Sequence, residues 1–132
     1  MLVNTASDCG YTNQYAELQK LYMHSKEDME IIAFPANDFK HQEKQEDAMI
    51  KDFCSRNFGV SFPLAQKIHV IKGEQQDPVF RWLTHKELNG WNDQPPSWNF
   101  SKFLINEQGI LTHYFDPAIS PLSGEVIKAV HS

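Results

Sequence analysis

A chain of 132 residues with 41% hydrophobic and 22% charged side chains has enough apolar material for one core, which predicts a single globular domain over residues 1–132. Its net charge of -5 disfavours nucleic acid or an anionic membrane as partner, because both need a basic face. No apolar run approaches the roughly 20 residues that span a bilayer, and no signal peptide is apparent, so a cytoplasmic location is expected. Two cysteines and scattered histidines predict neither a disulfide scaffold nor a metal site.

Strand and helix patterns alternate along the first half of the chain. Leu2 to Thr5 indicates the end of a strand, and a helix is predicted from Thr12, its expected N-cap. A buried parallel strand is predicted from Met29 to Phe34, and Pro35 is expected to end it. A second helix is predicted from about Gln45 to Phe58, with Gly59 as its C-terminal stop. The expected apolar positions are Tyr15, Leu18, Leu21 and Tyr22 in the first helix and Met49, Ile50 and Phe53 in the second.

The second half predicts a short helix, a hairpin and a last helix. The short helix follows Pro78, and the strands at 102–105 and 110–115 flank a turn from Asn106 to Gly109. Val126, Ile127 and Val130 indicate the last helix. This order predicts an α/β protein with a mixed central sheet covered by helices on both faces, which is the thioredoxin-like architecture.

Cys9 lies between the first predicted strand and the first predicted helix. Chemistry in an open α/β sheet collects outside the carboxyl ends of the parallel strands, where Cys9 is expected. A thiolate beside a helix N-terminus is stabilised by unpaired backbone N–H groups, so its reactive fraction rises. Cys9 is therefore a candidate nucleophile, and the alternative for a lone cysteine is an inert, partly buried thiol.

Three separated blocks resemble the glutathione peroxidase family. They are Asn4-x-Ala6-Ser7-x-Cys9-Gly10-x-Thr12, then Ala33-Phe34-Pro35-x-Asn37-x-Phe39-x-x-Gln42-Glu43, then Trp98-Asn99-Phe100-x-Lys102-Phe103-Leu104. The resemblance implies that Cys9 is the peroxidatic cysteine and that Gln42, Trp98 and Asn99 complete a catalytic tetrad around it. Amide and indole N–H groups suit this chemistry, because they donate hydrogen bonds to charge on sulfur and then on oxygen without adding a fixed charge. Without the resemblance, a core aromatic residue and two turn or surface amides would be the simpler interpretation.

Cys54, on the second predicted helix, resembles the resolving cysteine of thioredoxin-dependent family members. The resemblance implies that a sulfenic acid on Cys9 condenses with Cys54 and that thioredoxin, or else glutathione, reduces the product. The alternative is that Cys54 packs as a small hydrophobic side chain. Because a disulfide needs Cα atoms within about 7 Å, the second helix is expected to open first. The segment from His85 to Ser97 is shorter than the one that builds tetramers in glutathione-using relatives, which implies a monomer or weak dimer and favours thioredoxin.

Several positions depart from the family pattern. Ala36 stands where many relatives carry another cysteine, and Asp38 replaces a usual glutamine. Lys44-Gln45 replaces a usual Pro-Gly, which is expected to loosen the start of the second helix. The charged run from Glu43 to Asp47 predicts a solvated start of that helix. Relatives also carry an N-terminal hairpin and a longer first strand, and the hairpin is expected to be missing here because this chain retains only Met1 to Thr5.

These features together predict an enzyme without cofactor or metal. The resemblance implies a thiol peroxidase that reduces hydrogen peroxide and organic hydroperoxides through Cys9 and is recycled through a Cys9–Cys54 disulfide by thioredoxin. The alternative is a redox sensor, in which Cys9 is oxidised and the disulfide passes to a partner protein without efficient turnover.

Overall fold

The computed structural model describes residues 1–43 and 46–131, and within these ranges the chain forms four strands and five helices. In chain order they are β1 (Leu2–Thr5), α1 (Gln14–Ser25), β2 (Ile32–Pro35), α2 (Asp47–Phe58), α3 (Pro78–Thr84), α4 (Lys86–Asn89), β3 (Lys102–Ile105), β4 (Leu111–Phe115) and α5 (Gly124–Val130). The sequence predicted all of these elements except α4, whose four residues are too few to show an apolar repeat.

The strands form a mixed sheet in the order β2-β1-β3-β4. β1 and β2 are parallel, with Val3 opposite Ala33, whereas β3 is antiparallel to both β1 and β4. The hairpin between β3 and β4 turns at Asn106, whose side-chain Oδ1 accepts the backbone N–H groups of Gln108 and Ile110. The predicted mixed sheet with a closing hairpin is therefore confirmed.

Alternation along the strands divides the core into two layers. On β2, Ala33 faces one layer and Phe34 the other; on β3, Leu104 and Phe103 divide in the same way. The first layer holds the buried side chains of α1, α2 and α5, and the second holds those of α3. Helices thus cover both faces of the sheet, as expected for the thioredoxin-like architecture.

The N-terminal part of α1 differs from the prediction. The predicted apolar positions of α1 are all buried, but Thr12 does not cap the helix. Its hydroxyl instead accepts the backbone N–H of Cys9 at 2.9 Å and donates to the Ala6 carbonyl at 3.0 Å. Asn13 is the residue before the helix, and its side chain makes no capping hydrogen bond. The Thr12 hydroxyl therefore stabilises the turn ahead of α1 rather than the helix itself.

The second helix buries fewer of its predicted positions than expected. Ile50 and Cys54 are buried and Phe53 is half-buried, but Met49 is 59% exposed, so its assignment to the buried face was wrong. Gly59 ends α2 in the left-handed region, with φ of 63°, as predicted. The predicted start at Gln45, and the loosening by Lys44-Gln45, lie outside the described residues.

A buried lysine holds the chain that follows β4. Lys102 Nζ donates to the carbonyls of Asp116, Pro117 and Ile119 at 3.4, 3.0 and 2.5 Å. Burial lowers the pKa of Lys102 to about 7. Gln14, at the start of α1, donates to the same Pro117 carbonyl at 2.7 Å, so this loop is fixed against the end of α1 that faces Cys9.

In the described part of the chain, we found no helix that is both long and apolar enough to span a membrane.

Candidate active site

Cys9 lies in the turn that connects β1 to α1. Its side chain is half-exposed, and the backbone N–H of Tyr11 donates to its sulfur at 3.3 Å. The Cys9 backbone N–H donates to the Thr12 hydroxyl at 2.9 Å. Consecutive turns from Cys9 through Thr12 lead into α1, with N–H to carbonyl distances of 3.1 Å for Thr12 to Cys9 and 3.0 Å for Tyr15 to Thr12. The sulfur is thus partly accessible and accepts a backbone hydrogen bond.

Gln42 and Asn99 form an amide pair next to this turn. Asn99 Nδ2 donates to Gln42 Oε1 at 3.1 Å, and the Gln42 carbonyl accepts the backbone N–H of Asp8 at 3.0 Å. Asp8 precedes Cys9, so the segment that carries Gln42 is bonded directly to the Cys9 turn. Asn99 is fully buried and Gln42 is half-buried. Gln42 uses its amide oxygen for the bond to Asn99, so its amide N–H group remains able to donate to a substrate.

Trp98, the residue before Asn99, is half-buried. The Phe39 ring packs against it with centroids 5.3 Å apart, and Lys40 Nζ lies 5.9 Å from the centroid of its ring. The Trp98 carbonyl accepts Asn4 Nδ2 at 3.0 Å, which ties it to β1. A sharp turn follows, in which buried Phe100 has φ of 69°. The contacts with Phe39 and Lys40 place Trp98 against the segment that leads to Gln42.

Cys54 is placed differently from the other predicted residues. Both cysteines are free thiols, and Cys54 on α2 is completely buried in the core layer that includes Tyr15. Burial raises the pKa of the Cys54 thiol to about 11, an effect that the negative field of Glu43 strengthens and that the Tyr15 hydroxyl opposes. Cys54 is therefore a protected thiol rather than an exposed nucleophile in this conformation.

The sequence did not identify Glu43 as part of the site. The charged run was expected to be solvated, which was correct for exposed Glu46 and Asp47 but wrong for Glu43, whose side chain is 0% exposed. One of its carboxylate oxygens accepts the Ser7 hydroxyl at 3.0 Å. The signal that could have found it is its place directly after Gln42 in the same sequence block that carries the resemblance.

The site is a partly exposed thiol at the end of a parallel strand, with a backbone N–H on its sulfur and an amide pair bonded to its turn. Together with the mixed sheet, it defines a thioredoxin-fold oxidoreductase that works through a cysteine.

Comparison with known proteins identifies the family. The family model for glutathione peroxidase matches residues 1–84. The chain is 38% identical over 131 residues to the glutathione peroxidase homolog BsaA of Bacillus subtilis (strain 168), covering 97% of this chain and 81% of that protein. It is 40% identical over 124 residues to the glutathione peroxidase-like peroxiredoxin of Saccharomyces cerevisiae, covering 93% and 76%. Its structure matches the crystal structure of Trgpx in apo form with a TM-score of 0.69 and 32% identity, over 99% of this chain and 79% of that one.

The chain therefore belongs to the glutathione peroxidase family. Membership makes it an oxidoreductase of the peroxidase class.

Proposed function

We propose that the protein is a thiol peroxidase that reduces hydrogen peroxide and organic hydroperoxides with Cys9 as the attacking thiol. The Cys9 thiolate forms a bond to the terminal peroxide oxygen while the O–O bond breaks. Cys9 becomes a sulfenic acid, and the other oxygen leaves as hydroxide or alkoxide and takes up a proton. The observation that carries this proposal is the half-exposed Cys9 sulfur that accepts the Tyr11 N–H in a turn bonded to the Gln42 segment.

In the proposed reaction, neutral donors stabilise charge that moves from sulfur to oxygen. The Gln42 amide, the Asn99 amide and the Trp98 indole supply these donors. The hydrogen bond from Asn99 to Gln42 supports this assignment, because it fixes the rotamer of Gln42 and leaves its N–H group available. Such fixed donors need no reorganisation when the O–O bond breaks.

For the second half of the cycle, the proposal makes Cys54 the resolving thiol. The Cys54 sulfur attacks the sulfur of the Cys9 sulfenic acid, a disulfide forms, and hydroxide leaves and takes the thiol proton as water. Because Cys54 is fully buried on α2, this step needs local opening of that helix. A dithiol protein of the thioredoxin class then reduces the disulfide, rather than glutathione.

A redox sensor is the second candidate, and the burial of Cys54 favours it. If α2 opens slowly, the Cys9 sulfenic acid lives long enough for the thiol of a partner protein to attack it. Turnover distinguishes the two functions. With peroxide, thioredoxin, thioredoxin reductase and NADPH, an enzyme consumes NADPH continuously, whereas a sensor consumes about one equivalent and stops. Replacing thioredoxin by glutathione and its reductase tests the proposed reductant.

The proposal extends to the setting of the protein. We propose that residues 1–132 act as one domain, as a monomer or weak dimer, in the cytoplasm. The small number of residues between α4 and β3 supports the assembly state, because the segment that builds tetramers in other family members would lie there.

A further inference from the structure

Glu43 occupies the junction between the segment that carries Gln42 and the turn that carries Cys9. Its side chain is 0% exposed, and its Oε2 accepts the Ser7 hydroxyl at 3.0 Å. Its backbone is held on both sides, because its N–H donates to Asn37 Oδ1 at 3.0 Å and its carbonyl accepts Lys67 Nζ at 3.2 Å. Because Ser7 lies two residues before Cys9, the Glu43 carboxyl group links the segment that carries Gln42 to the turn that carries Cys9.

A carboxyl group in this place is costly to keep. Burial raises the pKa of Glu43 to about 7, although the Ser7 hydroxyl and the charge of Lys67 act in the opposite direction. The second oxygen, Oε1, has no hydrogen-bond partner among the described residues. Buried polar groups are normally satisfied, and an exception is expected where function requires it.

We propose that Glu43 is a positioning residue for peroxide reduction, which holds the Cys9 turn against the Gln42 segment through its hydrogen bond to Ser7. This inference rests on the proposed peroxidase function. Glu43 does not contact substrate. Its contribution is to keep the Cys9 sulfur and the donors of Gln42 and Asn99 in one arrangement while charge moves between them.

The ionisation of Glu43 gives this role a signature. A hydroxyl bonds more strongly to a carboxylate than to a neutral carboxylic acid, so the bond to Ser7 tightens as Glu43 loses its proton. The titratable groups that face Glu43 are Lys67, Tyr15 on α1 and Cys54 on α2. Burial keeps the pKa values of Tyr15 and Cys54 high, so both are neutral near pH 7. Loss of the Glu43 proton is therefore expected to contribute an increase in the rate of Cys9 oxidation as the pH rises through 7.

The experiment measures the rate constant for the first oxidation of Cys9 by hydrogen peroxide, followed by tryptophan fluorescence in a single turnover. The proteins are the wild type, Glu43→Gln, Ser7→Ala and the double variant, each between pH 5 and 9. The matched control is Glu27→Gln, at an exposed carboxylate in the turn that follows α1. At pH 8 each single variant is expected to lose about tenfold in rate constant, and the double variant no more than the slower single one. The rise through pH 7 should disappear in Glu43→Gln and persist in Glu27→Gln.

Three results would overturn the inference. They are wild-type rates in both single variants, losses that add in the double variant, and an unchanged pH profile in Glu43→Gln. If Glu43→Gln does not fold, Ser7→Ala tests the same hydrogen bond, because it removes the donor at half-exposed Ser7 and leaves Glu43 in place. Failure of the proposed function would look different, because the wild type itself would then show no oxidation of Cys9.

Discussion

Ile50→Val is expected to accelerate formation of the Cys9–Cys54 disulfide by making α2 easier to open. Ile50 is 1% exposed on the same helix as Cys54, and it packs in the same core layer. Exposing such a side chain costs about 1.5–3 kcal/mol, which alone lowers the open population roughly 10- to 150-fold. Removing one methyl group from a buried isoleucine costs the packed state about 1 kcal/mol. The open state does not lose that contact, so its population should rise about fivefold.

The assay separates the two chemical steps. Reduced protein is mixed with one equivalent of hydrogen peroxide and quenched with a thiol-alkylating reagent at successive times. Intact mass then reports sulfenic acid and disulfide separately. Oxidation of Cys9 should keep its rate in Ile50→Val, while the disulfide forms about fivefold faster.

The matched control is Ile31→Val. Ile31 is 0% exposed in the same core layer but precedes β2, so the substitution should lower overall stability by a similar amount without changing the opening of α2. Two outcomes would refute the reasoning: an unchanged disulfide rate in Ile50→Val despite its loss of stability, or an equal acceleration in Ile31→Val. Either would mean that opening of α2 does not limit the resolution step.

Four further predictions concern the two cysteines, α2, Glu43 and Lys102. Cys9→Ser should abolish peroxide consumption, whereas Cys54→Ser should still undergo one oxidation and accumulate a sulfenic acid visible by intact mass. Amide exchange in α2 should be faster than in α1 in the reduced protein and faster again in the disulfide form; strong, equal protection in both states would remove Cys54 as the resolving thiol. In denaturant titrations, stability should fall by about 2 to 3 kcal/mol between pH 4.5 and 7, because folded Glu43 keeps a proton that the unfolded chain releases, and this fall should be absent in Glu43→Gln. Lys102 has the opposite effect on stability. Between pH 7 and 10.5 the unfolded chain keeps a proton on Lys102 that the folded protein has lost. The contribution of Lys102 to the free energy of unfolding should therefore rise with pH over this range, and this rise should be absent in Lys102→Met.

The sequence predicted the fold well where apolar periodicity was complete. The strand from Lys102 to Ile105 follows from a short apolar run before the turn at Asn106, and the buried positions of α1 follow from helical spacing. The capping rule failed at Thr12, because its hydroxyl accepts the Cys9 backbone N–H and donates to the Ala6 carbonyl instead of capping α1. Helical spacing also failed at Met49. The buried side chains of α2 are Ile50 and Cys54, and Met49 is 59% exposed.

The site was predictable only in part. Cys9 could be argued from its position before a helix, but Gln42 and Asn99 depended on the family resemblance, because a single amide carries no local signal of function. The hydrogen bond between them is a tertiary contact over 57 residues, which no spacing rule predicts. Glu43 was misjudged for the same reason: a glutamate in a charged run is usually solvated, and only the packed structure brings Ser7 to it.

In the proposed cycle, peroxide oxidises Cys9 and Cys54 then resolves the sulfenic acid. The most direct measurement is non-reducing peptide mapping of the wild-type protein after one equivalent of hydrogen peroxide. We expect one peptide pair joined by a Cys9–Cys54 disulfide, a whole-protein mass lower by two hydrogens, and full recovery of both thiols after reduction by thioredoxin. A protein that instead gains oxygen on Cys9 and keeps Cys54 free for alkylation would contradict it.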